Sequence, residues 1–232
     1  MGLNLYAKIE EYLDFEDEVF RLHSEFISII IEKKLDNILD VGCGQGSFLN
    51  QLATLKLNSY GIDLSSEQIK ICKKNGIKNV ASLPLNEIKE KYDCTTAIFD
   101  VINYIPKKDV KTFFTEMNLV LNQGGYFIFD VNSLFGFEDV AQGTLSMDLG
   151  DKFIVIDATF EEEKLFTDIT LFTQDKNNLF KKENDAIIQY YYETNELKKL
   201  LKESGFEVER VIDFNLHDYG QSDKEIYICK KS

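Results

Sequence analysis

Ile38-Leu39-Asp40-Val41-Gly42-Cys43-Gly44-Gln45-Gly46-Ser47-Phe48 decides how this chain folds. A short run of β character enters three glycines at alternate positions. Phe48, Leu49, Leu52 and Leu55 then follow at helical spacing. A strand, a tight glycine turn and a helix in that order leave free amide N–H groups at the helix start. Glycine suits the turn because a left-handed backbone and the close approach of a ligand both disfavour a Cβ. Tyr60-Gly61-Ile62-Asp63 reads as the next strand and ends on a carboxylate about twenty residues after Gly42, where an acid can accept both hydroxyls of an adenosine ribose. The dinucleotide fingerprint G-x-G-x-x-G needs a further glycine at position 47 or 49, and those residues are serine and leucine. The spacing therefore fits an adenosine without a pyrophosphate better than a dinucleotide.

Outward from this stretch the pattern alternates. A helix is expected over about 17–34, a strand over 37–41, a helix over about 47–56 and a strand over 60–63. Ser65 with Gln68 forms a capping box for a helix that stops near Asn75-Gly76. Strands follow at 78–81 and 94–99, then a helix over 109–121 and a strand over 126–131. Near-continuous apolar strands between helices imply a mostly parallel α/β sheet covered on both faces, with its ligand at the carboxyl ends of the strands. The pattern then changes to β runs at 153–160, 165–173 and 186–192 with no helix between them, which predicts an antiparallel insertion. A helix over 194–204 and strands at 207–214 and 225–230 complete the chain. The expected fold is thus a seven-stranded α/β sheet from 1–132 and 193–232, with an antiparallel β insertion over 133–192 after the fifth strand.

The composition narrows the partners. Forty acids against 26 bases give a net charge of −14, and the only arginines are Arg21 and Arg210. Phosphate backbones are bound through clustered Lys and Arg, so nucleic acid and anionic membranes are disfavoured. No apolar run is long enough to span a bilayer and no basic, apolar leader precedes Glu10 and Glu11, so a cytoplasmic location is expected. Cys43, Cys72, Cys94 and Cys229 form no C-x-x-C pair, and with two histidines in the chain no metal site is expected.

The chain resembles the Rossmann-fold (class I) S-adenosylmethionine-dependent methyltransferases, in particular their small-molecule branch. The resemblance is carried by Leu39 to Gly46, Gly61-Ile62-Asp63-Leu64-Ser65, Lys91-Tyr92-Asp93 leading to Asp100-Val101-Ile102-Asn103-Tyr104-Ile105, and Gly124 to Ser133. Leu197, Leu200, Leu201, Gly205 and Phe206, with the final hairpin, extend it to the end of the chain. It implies a Rossmann-like sheet and S-adenosylmethionine as cofactor. Asp40, Gly42, Cys43 and Gly44 would lie along the amino-acid part of that cofactor, Asp63 would hold the ribose and Leu64 would pack on the adenine. Ser82 stands where many members carry an acid for the adenine amino group, with Leu83 beside it. Phe99 and Asp100 end the fourth strand next to the cofactor. Arg21 would clamp its carboxylate, and Tyr6 matches a tyrosine that closes over it.

A sulfonium methyl is already electrophilic, so the protein has chiefly to align acceptor, methyl carbon and sulfur, with a base only where the acceptor arrives protonated. Asn103, Tyr104 and His217 are the candidates for catalysis, and His217 is the histidine placed to act as a base. Asp130, Asn132, Tyr190 and Tyr192 are the candidates for contact with the acceptor. Methyl transfer to N or O of a small metabolite, such as an amino sugar or a nucleotide-linked sugar, is the expected activity. An NAD(P)-dependent oxidoreductase and a non-catalytic cofactor-binding module are the alternatives. Sequence alone leaves the oligomeric state open.

Overall fold

The computed structural model describes residues 2–232. Helices α1 (Leu3–Ile9) and α2 (Glu16–Lys33) precede strand β1 (Asn37–Val41). Then come α3 (Ser47–Thr54), β2 (Asn58–Ile62), α4 (Ser66–Lys74), β3 (Val80–Ala81), β4 (Tyr92–Ala97), α5 (Val110–Val120) and β5 (Leu121–Asn132). A second group of strands follows: β6 (Gly143–Asp148), β7 (Lys152–Glu161), β8 (Lys164–Gln174) and β9 (Phe180–Tyr190). Helix α6 (Thr194–Glu203) leads to β10 (Phe206–Phe214) and β11 (Lys224–Lys231).

Seven strands form one sheet in the order β10-β11-β5-β4-β1-β2-β3. Strand β11 alone runs against its neighbours β5 and β10, and all other pairs are parallel. The Rossmann-like α/β expectation is met.

Because successive side chains point to opposite faces, Leu39, Phe127, Phe129, Tyr227 and Cys229 join one core under α5 and α6, whereas Ile38, Ile128, Ile226 and Ile228 join the other under α2 and α3. Aromatic stacking knits the first core, with Phe127 on Phe129 at 4.6 Å and Phe129 on Tyr227 at 4.8 Å between ring centroids. Apolar residues one helical turn apart explain the covering helices: Leu22, Phe26 and Ile30 on α2, Val110, Phe114 and Met117 on α5, Leu197 and Leu201 on α6.

Strands β6 to β9 form a second, wholly antiparallel sheet, one strand larger than the three runs legible in the sequence. Its apolar face, Ile154, Ile169, Leu171 and Ile187, receives Leu5 and Ile9 of α1. The α1 helix, for which no expectation was drawn, thereby joins the second sheet to the first, and it also packs against α4. Phe137, in a π-helical turn over Gly136–Ala141, stacks on Phe160 at 5.1 Å and anchors the opposite end of the second sheet.

Candidate active site

The glycine turn lies at the carboxyl end of β1. Gly42, Gly44 and Gly46 all have left-handed φ, at 77°, 52° and 82°. A Cβ on Gly42 would strike Val101 at 2.7 Å, whereas nothing lies within 4 Å of one on Gly44. The Gly44 backbone thus faces open space, bare enough for a ligand to lie against it. Asp63, just past β2, reaches back to this loop: Oδ2 accepts from Gly44 N at 3.0 Å and Oδ1 from Ser65 N at 2.7 Å. Burial raises its carboxyl above the ordinary range, and these two bonds moderate the rise. Each oxygen keeps a lone pair for a further donor. Beside it Leu64 is 63% exposed, an apolar side chain open to a flat partner. Ser82 is exposed, with its Oγ 3.5 Å from the Leu64 carbonyl, and Leu83 is half-buried against the core. These features fit an adenosine-bearing cofactor with an amino-acid tail.

The N-terminal helix roofs this cleft. Glu10 accepts from Gln45 Nε2 at 3.1 Å and Gln68 Nε2 at 2.8 Å, and Asn4 accepts from Ser65 Oγ at 2.7 Å. The Ser65 cap is present, with Gln68 N donating to its hydroxyl at 3.3 Å. The Gln68 side chain, expected to complete a capping box, turns to Glu10 instead. Tyr6 lies among Glu10, Asp100 and Tyr104. Burial raises its phenol well above the usual range, and the Glu10 and Asp100 charges add to the rise. Burial does the same to Tyr104, with help from Tyr6, Asp100 and Glu10. Two phenols and two carboxylates therefore meet where β4 ends.

Phe99 and Asp100 both have left-handed backbones, at φ 62° and 63°, a conformation that costs non-glycine residues energy unless the surroundings hold it. Asp130 holds it. Its Oδ1 accepts from Phe99 N at 2.8 Å and its Oδ2 from Asp100 N at 3.2 Å. Lys224 Nζ donates to the same Asp130 Oδ2 at 2.9 Å, to Asn132 Oδ1 at 3.0 Å and to Asp100. Burial disfavours the Lys224 charge, but the Asp100 and Asp130 carboxylates outweigh it and push its pKa upward.

Several residues expected to meet a ligand occupy structural positions. Asp130 has no exposed surface, and all its contacts support the 99–100 turn. Asn103 is equally buried: it accepts from Asn132 N at 3.0 Å and donates to the Tyr190 carbonyl at 2.9 Å, tying β5 to β9. Tyr192 is 2% exposed, with its hydroxyl donating to the Ile105 carbonyl at 2.5 Å. Tyr190 packs half-buried against the same core. Asp40 is buried within the sheet and accepts from Thr96 Oγ1 at 2.7 Å, beneath the glycine turn rather than on its open side. Cys43 is buried, and its backbone N donates to the Ile62 carbonyl at 3.0 Å. Arg21, expected as a carboxylate clamp, directs its guanidinium to the 215–218 loop: Asp218 takes both terminal nitrogens, at 2.9 and 3.0 Å, and the carbonyls of Leu216 and Asn215 accept as well.

His217 does lie at this rim. Its Nδ1 meets Asp223 Oδ2, and its ring stacks on Tyr219 with centroids 5.9 Å apart. Glu10, Gln45, Gln68, Asp223 and Lys224 were not foreseen. Leu5, Ile9 and Leu13 at four-residue spacing were the available signal for α1 and hence Glu10, whereas nothing local marks Lys224. A groove of about 510 Å³, lined in part by Asn37, Asn58, Tyr60 and Tyr92, opens at the amino ends of β1, β2 and β4. That is the rim opposite the glycine turn, away from this cluster.

Comparison with known proteins agrees with the geometry. Residues 38–125 match the family model described as a methyltransferase domain. A protein of Geobacillus sp. (strain WCH70), itself a methyltransferase by inference, is 23% identical over 206 residues, covering 84% of this chain and 83% of that one. The crystal structure of an S-adenosylmethionine-dependent methyltransferase from Clostridium acetobutylicum superposes with a TM-score of 0.80 at 23% identity, over 99% of this chain and 100% of that one. The sugar N-methyltransferase KedS8 from Streptoalloteichus sp. shares the fold with a TM-score of 0.76 at 15% identity, over 98% of this chain and 91% of that one. Residues 38–125, which hold the glycine turn and Asp63, thus match a methyltransferase domain, and the chain shares the Rossmann-like fold of the S-adenosylmethionine-dependent methyltransferases along its length.

Proposed function

We propose that this methyltransferase modifies a nitrogen or oxygen of a small metabolite, an amino sugar or a nucleotide-linked sugar, in the cleft between the glycine turn and the second sheet. The observation that carries the reading is the open face of Gly44 with the Asp63 carboxylate bonded to its amide. Gly42 and Gly44 would present backbone to the amino-acid part of the cofactor. Asp63 would take the ribose hydroxyls, Leu64 the adenine face, and Ser82 and Leu83 the adenine edge. Tyr6, Phe99 and Asp100 would border the reacting end. When bound, S-adenosylmethionine supplies a methyl already activated by its sulfonium.

The protein's part is alignment and exclusion of water, and α1 with the second sheet is the roof that would supply both. Glu10, Asp63 and Asp100 gather negative charge around this cleft, which favours an acceptor that arrives as an ammonium. The fold likeness to a sugar N-methyltransferase over nearly the whole chain supports the same acceptor class. Tyr104, partly exposed beside Tyr6, and His217 are the groups placed to meet the acceptor, with Asp130, Asn103, Asn132 and Lys224 holding the surrounding turns.

Calorimetric titration with S-adenosylhomocysteine, NAD and NADP tests the cofactor site. S-adenosylhomocysteine alone is expected to bind, and Asp63→Ala should weaken it by about 100-fold, the scale of lost charge-assisted hydrogen bonds. Binding of a nicotinamide nucleotide would overturn the assignment. Release of S-adenosylhomocysteine with a nucleotide-linked amino sugar, faster than with its hydroxyl analogue, is the expected acceptor result.

A further inference from the structure

We propose that Asp223 is a positioning residue that fixes the tautomer of His217 and leaves its Nε2 as the proton acceptor for methyl transfer. The inference rests on the acceptor-site reading above. Asp223 is 1% exposed, on the last residue before β11. Its Oδ1 accepts from Leu216 N at 2.6 Å, and its Oδ2 accepts from His217 N at 3.2 Å and meets His217 Nδ1. Burial alone would raise this carboxyl. The bonds from His217 and Leu216 more than offset that and hold it below the ordinary carboxylate range. An ionised carboxylate can only accept, so the neutral imidazole must carry its proton on Nδ1. Nε2 then has an unprotonated lone pair, and no hydrogen bond from the described residues reaches it. The ring is partly exposed, with 26% of its side-chain surface open.

The loop around the pair is held at the carboxyl end of the large sheet, the end that carries the glycine turn. Arg21 grips residues 215–218 from α2. The backbone carbonyl of Asp223 accepts from Ser133 N at 2.9 Å, just beyond the carboxyl end of β5. The next residue, Lys224, reaches Asp100. In the step inferred, His217 Nε2 takes the proton of an acceptor N–H or O–H. The electron pair so freed forms the new bond to the methyl carbon while the methyl–sulfur bond breaks and its pair stays on sulfur. The imidazolium formed keeps its Nδ1–H on Asp223, whose negative charge stabilises it.

The chain has two histidines, so the full-length protein labelled with ¹⁵N-histidine gives a two-ring spectrum in which His23 is the internal control. Long-range ¹H–¹⁵N correlations of the neutral form should show one tautomer for His217, protonated at Nδ1. Asp223→Asn should convert it to a mixture while leaving the His23 signals and the affinity for S-adenosylhomocysteine unchanged. An Nε2-protonated or mixed His217 in the wild type overturns the proposal without recourse to any variant, and so does an unaltered tautomer in Asp223→Asn. The base role is read separately. His217→Ala should lower turnover of a nucleotide-linked amino sugar by roughly 100-fold or more, and undiminished turnover there would defeat the base role whatever the tautomer.

Discussion

Asp40 is a carboxylate enclosed by the sheet, with the Thr96 hydroxyl as its hydrogen-bond donor. Burial raises it to about 7, moderated by Thr96 and reinforced by Asp63. In the unfolded chain the same group titrates near 3.9. The folded state therefore binds a proton that the unfolded state has lost between about pH 4 and pH 7, so stability falls as pH rises through that window and then levels off. The penalty at pH 8 is on the order of 2–4 kcal/mol for a shift of this size. Asp40→Asn keeps an acceptor for Thr96 and removes the charge. It is expected to be more stable than the wild type at pH 8, with little difference at pH 4.5, in denaturant melts at the two values. Parallel pH dependence in the two proteins would show that Asp40 titrates normally. Gly61 makes a steric prediction at the same scale. A Cβ there would lie 2.5 Å from Leu49 Cδ1, 2.8 Å from Cys43 Sγ and 2.9 Å from Cys43 Cβ. Gly61→Ala should cost about 1–3 kcal/mol by overpacking, read as a lower urea midpoint at unchanged slope.

Among the elements, α1 has the most separable role. Seven residues form too short a helix to persist alone. Its order comes from Leu5 and Ile9 against the second sheet and from the polar contacts of Asn4 and Glu10 with α4 and the glycine turn. Ile9→Ala removes a fully buried side chain, a change that costs about 2–5 kcal/mol at a rigid site. Here the loss should appear as local opening. Hydrogen exchange over residues 3–12 is expected to accelerate while the strands of the large sheet stay protected. Uniform acceleration across the chain would mean that α1 unfolds only with the whole. The elements also show what pattern reading can reach. α2 to α6 and the seven strands of the large sheet were legible because each carries its own periodicity, helical or continuous apolar. β6 was missed because five of its six residues are exposed and it pairs with one neighbour at the edge of the second sheet. α1 was missed because so short an apolar stripe is a weak signal.

For the molecule as a whole, a net charge of −14 means that acid groups repel one another in the compact state. Screening should therefore stabilise it. Raising NaCl from 20 to 300 mM is expected to raise Tm by about 2–4 °C for each kcal/mol of repulsion removed, and a flat or falling Tm in scanning calorimetry would contradict this. No helix is long and apolar enough to cross a membrane among the described residues.

The sequence by itself determined the order of the large sheet's strands and of the helices that cover it, the glycine turn after β1, and the carboxylate at the end of β2. Those features are written in short windows, in side-chain period and in the residues a left-handed turn admits. Only the tertiary structure decided what Asp130, Asn103 and Tyr192 do. Strand-end polar residues read the same whether they face a ligand or brace a turn, and their partners are remote: Lys224 and Asp100 meet across 124 positions, and Asn103 and Tyr190 across 87. Lys224, on a strand with further lysines at its end, carries no local mark of burial. Packing placed its ammonium between two carboxylates, and the pairing of β11 with β5 put it there.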